Sequence, residues 1–289
     1  MRLIDEGRFT LGSTIAELLM KDDLTVLLED SPNNHISMIE KITVKQLMSH
    51  TAGLSQGHFL GYSTAADSSI PPSRQILRGR HPANTMRTRL ESLPGQVFAY
   101  SGGGITVLQI ILETVTGKDF ASIIQELVLE PLGMTRSRFG ALPQTEKNVA
   151  DAHYTGYTRC EDGHRVLPEQ AAASLWKTPS DLLKVVQAIQ KSLDGPDGFL
   201  RRDTAKQMLT EVQFGMALSW FVPGRTKITF KHGGVNDPGF RCILIGYADL
   251  SSGGERDVPN NCGMAIMTNS AMGDTAVWMV AQAIAHLKQ

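Results

Sequence analysis

The spacing of apolar residues marks helices along the first two thirds of the chain. Ile105, Leu108, Ile111, Leu112 and Val115 recur on one stripe of a 3.6-residue period that Gly117 closes, which predicts an amphipathic helix over 105–116. A second helix is predicted over 119–129, ending before Pro131. A third opens at Thr178-Pro179-Ser180-Asp181, with Thr178 as cap, proline at the first helical position and Asp181 reaching back, and runs to about residue 192. Thr43 caps a short helix over 43–49 that leads into the turn-rich His50-Thr-Ala-Gly-Leu54. Residues 1–6 read as the end of an amphipathic helix stopped by Gly7; one and a half turns cannot nucleate alone, so the chain is expected to begin inside an element.

After Val212 the period shortens. Residues 213–222, 226–231, 239–248 and 262–268 read as short antiparallel strands separated by Pro-Gly, Gly-Gly or Asn turns, and 276–287 as a helix closing over that sheet. Residues 56–94 carry Gly, Ser and Pro with little periodicity, which suits a surface excursion or lid. One domain is expected over 1–289, with a helical and loop part at about 10–210 and an antiparallel sheet part at about 211–289.

Composition narrows the partners. Of the 289 residues 42% are hydrophobic and 20% charged, a globular balance, and 28 Lys+Arg against 29 Asp+Glu leave a net charge of −1. That lacks the electrostatic footprint of nucleic-acid or anionic-membrane binding, so a small-molecule substrate is expected. No run reaches the ~18 apolar residues of a membrane span, and the opening residues lack the apolar core of a signal peptide, so a cytoplasmic location is expected. The odd set Cys160, Cys242 and Cys262 reads as reduced, structural thiols. Asp151, His153 and His164 lack metal-ligand spacing and read as a solvated loop; neither a metal nor a cofactor is expected.

Candidate chemistry gathers at two places. Tyr100 lies between the Pro94-Gly95 turn and the Gly102-Gly-Gly104 run, which presents its ring at a loop–helix junction. His232 shares a period-two face with Ile228 and Phe230 while Lys231 points the other way, so only one of the two neighbours can enter a cleft. The single Ser-x-x-Lys, Ser174-Leu-Trp-Lys177, precedes the helix cap at Thr178, whereas a nucleophilic serine should follow a cap at a helix N-terminus. Ser174 is therefore not expected to be a nucleophile. His-Glu-x-x-His and nucleotide-loop patterns are absent.

Three segments in order carry a family resemblance: Ile42-Thr-Val-Lys-Gln-Leu-Met-Ser-His-Thr-Ala-Gly-Leu54; Pro94-Gly95 with Tyr100-Ser101-Gly102 and Pro131-Leu-Gly-Met134; and His232-Gly-Gly234 with Pro238-Gly-Phe240. Together they resemble the β-lactamase-related serine hydrolases, the superfamily of class C β-lactamases, D-alanyl-D-alanine peptidases, esterases and transesterases. The resemblance implies an α/β fold, an antiparallel sheet flanked by helices plus a mostly helical subdomain, with the N-terminal strands missing. It implies acyl transfer by a serine that a neighbouring lysine activates, with Tyr100 as general base. The family's Ser-x-x-Lys would precede the segment matching Leu3-Ile-Asp-Glu-Gly-Arg-Phe9, so the nucleophile segment is expected to be absent from this chain.

By the same resemblance Ser101, Gly102, Gly234 and Val235 line the substrate site, with the Val235 N–H in the oxyanion hole. Gly102 replaces the family's asparagine. An extra residue in Val235-Asn-Asp237 is expected to perturb the strand. His232, favoured over Lys231 for the family's cationic position, carries no fixed charge, which weakens recognition of an anionic carboxylate and moves the expected substrate toward esters or thioesters. His50 is expected to fix a turn, and Trp220 and Trp278 to be core.

Two other functions stay open: a non-covalent acid–base enzyme such as an isomerase, dehydratase or cyclase using Tyr100 and His232, and a non-catalytic binding protein. The strand over 262–268 is expected to be a sheet edge along which copies of the chain associate, together with the face of 276–287.

Overall fold

The last third of the chain is organised by strand pairing. In the computed structural model, which describes residues 1–29, 32–55, 59–64, 69–140, 142, 145–223, 227–250 and 262–286, β1 (Lys227–Asn236), β2 (Phe240–Asp249) and β3 (Gly263–Thr268) form an antiparallel sheet in that order. Thr226 and Leu287, ends of two predicted elements, lie outside the described residues, as does the Ile228 side chain. The β1–β2 ladder is unbroken from Lys227↔Asp249 to Asn236↔Phe240. The expected perturbation near Val235 does not occur. Asp237-Pro238-Gly239 takes up the extra residue in the turn, and β1 keeps its register with β2 throughout.

Strand alternation divides the sheet into two buried faces. Phe230, Leu244 and Ala265 face a cluster with Val186, Ile189 and Leu209, while Ile243, Ile245 and Met264 face Val277 and Ala281 of the closing helix. A Cβ at Gly246 would stand 2.2 Å from the Phe230 ring, so only glycine lets that ring lie flat over the strand pair.

Twelve α-helices surround the sheet among the described residues: α1 (Arg2–Asp5), α2 (Ile15–Leu18), α3 (Lys21–Leu28), α4 (Asn33–Glu40), α5 (Val44–Met48), α6 (Ser73–Arg78), α7 (Gly102–Thr116), α8 (Phe120–Ile124), α9 (Gln170–Ala173), α10 (Pro179–Asp194), α11 (Arg202–Leu209) and α12 (Gly273–His286). Helix α5 has the predicted Thr43 cap, completed by Gln46 in a capping box. Helix α7 starts three residues earlier than its apolar stripe, because the Ser101 hydroxyl accepts from the Gly104 N–H and draws the glycines into the first turn. Its buried Val107, Ile110 and Ile111 join Ile15, Val26 and Leu47 in a second core. Helix α8 passes into a π-helical turn, Gln125–Leu129.

Three other expectations are corrected. Asp181 does not reach back to its cap; its carboxylate accepts from the Arg136 N–H and the Ser137 hydroxyl and pairs with Lys184. Residues 213–222 are not a strand, since Phe214, Gly215 and Ser219 take positive φ; the segment loops beside β1, where Phe221 and Lys231 exchange backbone hydrogen bonds. Trp278 is 47% exposed and carries the Lys231 ammonium 5.1 Å from its ring centroid.

The described residues of the 56–94 excursion are fastened down. Leu54 bridges Leu90, Tyr62 bridges Val166, and Arg74 of α6 pairs with buried Asp23. No helix among the described residues is long and apolar enough to cross a membrane.

Candidate active site

Strand parity and a helix cap bring the two predicted residues together. His232 lies on the core face of β1 and Tyr100 immediately precedes the cap of α7, which sets the Tyr100 hydroxyl 3.5 Å from His232 Nε2. His50 backs the phenol: its ring stacks on that of Tyr100 with centroids 4.1 Å apart at 29°. Phe221 closes the group, its ring nearly parallel to Tyr100 at 6.5 Å and 6.0 Å from His232. His50 is held by a left-handed backbone (φ 54°) and accepts the Ser101 N–H at Nδ1 over 3.1 Å.

Burial sets the proton inventory. The His50 imidazole is pushed down to about 4 by burial and by the neighbouring His232, so it is a neutral platform at physiological pH. Burial raises the Tyr100 phenol above its ordinary value. Burial also lowers His232, and the charge of Lys177 lowers it further, against a hydrogen bond with the Gly233 backbone. A phenol that burial keeps protonated thus faces an imidazole that burial drives toward its neutral form; in the Nδ1-protonated tautomer the phenol O–H donates to Nε2. Tyr100 is a poor base by itself; His232 is the group able to take a proton, and Tyr100 can relay it.

The Ser101 hydroxyl donates to the Ser55 carbonyl and caps α7, so it is engaged within the fold. Gly102 is buried at the first position of α7. Gly234 pairs with Cys242, and a Cβ there would meet Cys242 Sγ at 2.7 Å. Val235 keeps its ladder place opposite Arg241 with its side chain 63% exposed.

Ser174 is the C-terminal cap of α9, and Lys177 Nζ donates to the Leu175 carbonyl at 3.4 Å rather than to Ser174. Sequence reading gave no site role to Lys177, Asn236 or Phe221. Asn236 Nδ2 donates to the Ala173 carbonyl at 2.6 Å and ties the end of β1 to the segment that bears Lys177. Ser174, Lys177, Gly234 and Asn236 line a groove of about 2010 Å³ that Tyr100 and His232 do not line.

Among the described residues no group of three His, Cys, Asp or Glu could hold a metal. Asp151 pairs with Arg159, His153 Nδ1 approaches the Asn269 carbonyl at 3.2 Å, and His164 packs edge-on against Trp176. All three cysteines are free, Cys160 buried and the others half-buried. Glu169, the cap residue of α9, is 1% exposed, has an unpartnered Oε2 and is pushed up to about 7 by burial.

The sequence model of the Beta-lactamase family matches residues 1–286. The chain belongs to the beta-lactamase family. Protein flp of Staphylococcus aureus is 26% identical over 180 residues, 62% of this chain and 32% of that protein. A putative D-alanyl-D-alanine carboxypeptidase of Escherichia coli is 27% identical over 177 residues, 61% of this chain and 38% of its own. The chain thus spans about a third of the length of these curated relatives. Among solved structures, a penicillin-binding protein from Bacillus halodurans superposes with a TM-score of 0.70 at 14% identity, covering 98% of this chain and 80% of that one. An octameric penicillin-binding protein homologue from Pyrococcus abyssi gives 0.69 at 20%, covering 98% and 62%. EstCE1, a hydrolase with promiscuous acyltransferase activity, gives 0.65 at 21%, covering 94% and 76%. These likenesses establish the beta-lactamase fold.

Proposed function

We propose that this beta-lactamase-family chain contributes the proton-transfer half of a site for hydrolysis or acyl transfer on small esters or thioesters. The observation that carries the reading is the Tyr100–His232 pair, whose hydroxyl and Nε2 lie 3.5 Å apart, with burial raising the phenol and lowering the imidazole. The attacking hydroxyl gives its proton to the Tyr100 oxygen as Tyr100 passes its own to His232 Nε2, and the imidazolium later returns it to the leaving group. Ser174 is not the attacking group in this reading, because Lys177 Nζ donates to the Leu175 carbonyl and makes no hydrogen bond with the Ser174 hydroxyl. Relatives described as a carboxypeptidase and a hydrolase with acyltransferase activity support the reaction class.

Turnover of a chromogenic ester by the wild type and by Tyr100→Phe tests the reading. A fall of about 10²–10⁴-fold with an unchanged melting curve is expected. Unchanged turnover removes Tyr100 from the mechanism.

A second reading, non-covalent acid–base catalysis, is favoured by the same pair, since it exchanges a proton without a covalent intermediate. Turnover with no stoichiometric labelling distinguishes it. We further propose that copies of the chain associate through the outer edge of β3, which no strand covers among the described residues, and through exposed Trp278, Met279 and Val280 of α12.

A further inference from the structure

Two segments that carry rings to the proton-transfer pair are free of charge. No Asp, Glu, Lys or Arg occurs in Ser92–Ser101 or in Val212–Val222. The two are also tied together: Gln213 Nε2 donates to the Gln96 carbonyl at 3.2 Å, and the Ala99 and Ser219 N–H groups donate to the carbonyls of His50 and Met48 at 2.9 and 2.7 Å.

Each segment sends one phenylalanine toward the pair. The Phe221 ring lies 6.0 Å from His232 and 6.5 Å from Tyr100, while Phe98 meets Phe221 at 6.1 Å and His50 at 6.2 Å, both edge-on. Both phenylalanines are half-buried, so part of each stays open to solvent next to the pair. The same two segments hold further large apolar side chains in water: Leu93 is 44%, Val97 42% and Phe214 66% exposed. Phe214 does so on a left-handed backbone (φ 53°), which a bulky residue rarely adopts. A single exposed apolar residue is ordinary. Three on two bonded loops, beside two partly open rings and with no charge among them, form a patch suited to an apolar ligand.

We propose that this patch receives the acyl chain of the substrate, with Phe98 and Phe214 as specificity-determining residues, so that the preferred esters or thioesters carry apolar chains of medium length rather than short or charged acyl groups. This rests on the acyl-transfer reading of Tyr100 and His232. The reacting carbonyl lies at the pair and the chain extends over Phe221 and Phe98 toward Phe214; no bond at these rings forms or breaks. A neutral chain fits because a charged group finds no counter-charge in either segment, whereas each methylene taken out of water adds to binding.

Two measurements on wild type, Phe98→Ala, Phe98→Leu and Phe214→Asn test it. The first compares kcat/KM for p-nitrophenyl octanoate and p-nitrophenyl acetate. Wild type should favour the octanoate tenfold or more, Phe98→Ala and Phe214→Asn should each lower that ratio at least threefold, and Phe98→Leu should keep most of it. A wild-type ratio near one, or a ratio that neither variant lowers, overturns the proposal. The second compares calorimetric binding of octanamide and acetamide, which needs no turnover. Wild type should bind octanamide at least tenfold tighter, and Phe214→Asn, an exposed position whose backbone suits asparagine, should reduce the preference; equal binding overturns it. Octanamide preference without ester turnover would remove the acyl-transfer reading and keep the apolar site. Capture by phosphatidylcholine vesicles, or dissociation of an assembly by Phe214→Asn, without an octanamide preference would assign the patch to a lipid surface or to a second copy and overturn the proposal.

Discussion

His50 lies flat against Tyr100, ring centroids 4.1 Å apart, and its Nδ1 accepts the N–H of the next residue, Ser101. One imidazole thus fixes both the phenol's plane and the entry into α7. His50→Ala removes the acceptor from a buried N–H and places alanine at a left-handed φ, so a loss on the order of 1–3 kcal/mol is expected. Urea unfolding measures it, and an unchanged midpoint would show that the N–H finds another partner.

The pH dependence of turnover should have one limb near the acid side. His232 must be neutral to accept a proton, and burial and Lys177 hold its titration below the ordinary histidine value, so activity rises with pH through a midpoint below 6.5. It then stays level until the phenol, raised above 10, begins to ionise. A midpoint above 7 in the pH profile of kcat/KM is incompatible with this pair.

Glu169 sets a pH term in stability. Its carboxyl is raised from 4.5 to about 7 in the fold, so below 4.5 folded and unfolded chains are both protonated and burial carries no ionisation penalty. The penalty grows between 4.5 and about 7 and is full above, reaching on the order of 3 kcal/mol. Glu169→Gln should therefore stabilise the protein at pH 8 and show no such gain at pH 4.5. Denaturant titrations at the two pH values decide it, and an equal effect at both removes the ionisation argument.

Intact mass after fluorophosphonate treatment should show no adduct that maps to Ser174. The serine caps the end of a helix and receives no hydrogen bond from Lys177. A stoichiometric adduct on the peptide containing Ser174 would reverse the assignment of roles.

Light scattering should find an assembly larger than one chain, and Met279→Glu, at a 65% exposed position of α12, should shift it toward the monomer. Slow amide exchange along Gly263–Thr268 in a monodisperse monomer would mean that the β3 edge is covered from within the chain.

Much of this architecture was legible because it is local. Thr43 and Thr178 mark helix starts through hydroxyls that accept a nearby N–H, Gly117 marks a helix end through its own N–H, and period-two alternation separates Lys231 from His232 without any tertiary knowledge. Long-range effects escaped. Asp181 bonds to Arg136 and Ser137, 45 and 44 residues away, rather than to its own cap, and Trp278 looks like core until Lys231 is seen to cover it. Residues 213–222 alternate like a strand, yet Phe214 and Ser219 adopt backbone angles that propensity does not anticipate. At the site, Tyr100 and His232 were readable from motif order. Lys177 was read only as part of a Ser-x-x-Lys; that its segment is tied to the end of β1 depends on the long-range bond from Asn236 to the Ala173 carbonyl.

The turn at Asp237-Pro238-Gly239 has a bearing on how this fold tolerates change in length. Because the ladder is continuous up to Asn236↔Phe240, residues added at the hairpin tip leave the odd–even parity of β1 untouched. The same single residue added between Phe230 and Lys231 would exchange the two faces of everything beyond it, sending the imidazole toward Trp278 and the ammonium toward Tyr100. The tip is thus a neutral site for insertion and the strand a forbidden one, a boundary one residue wide.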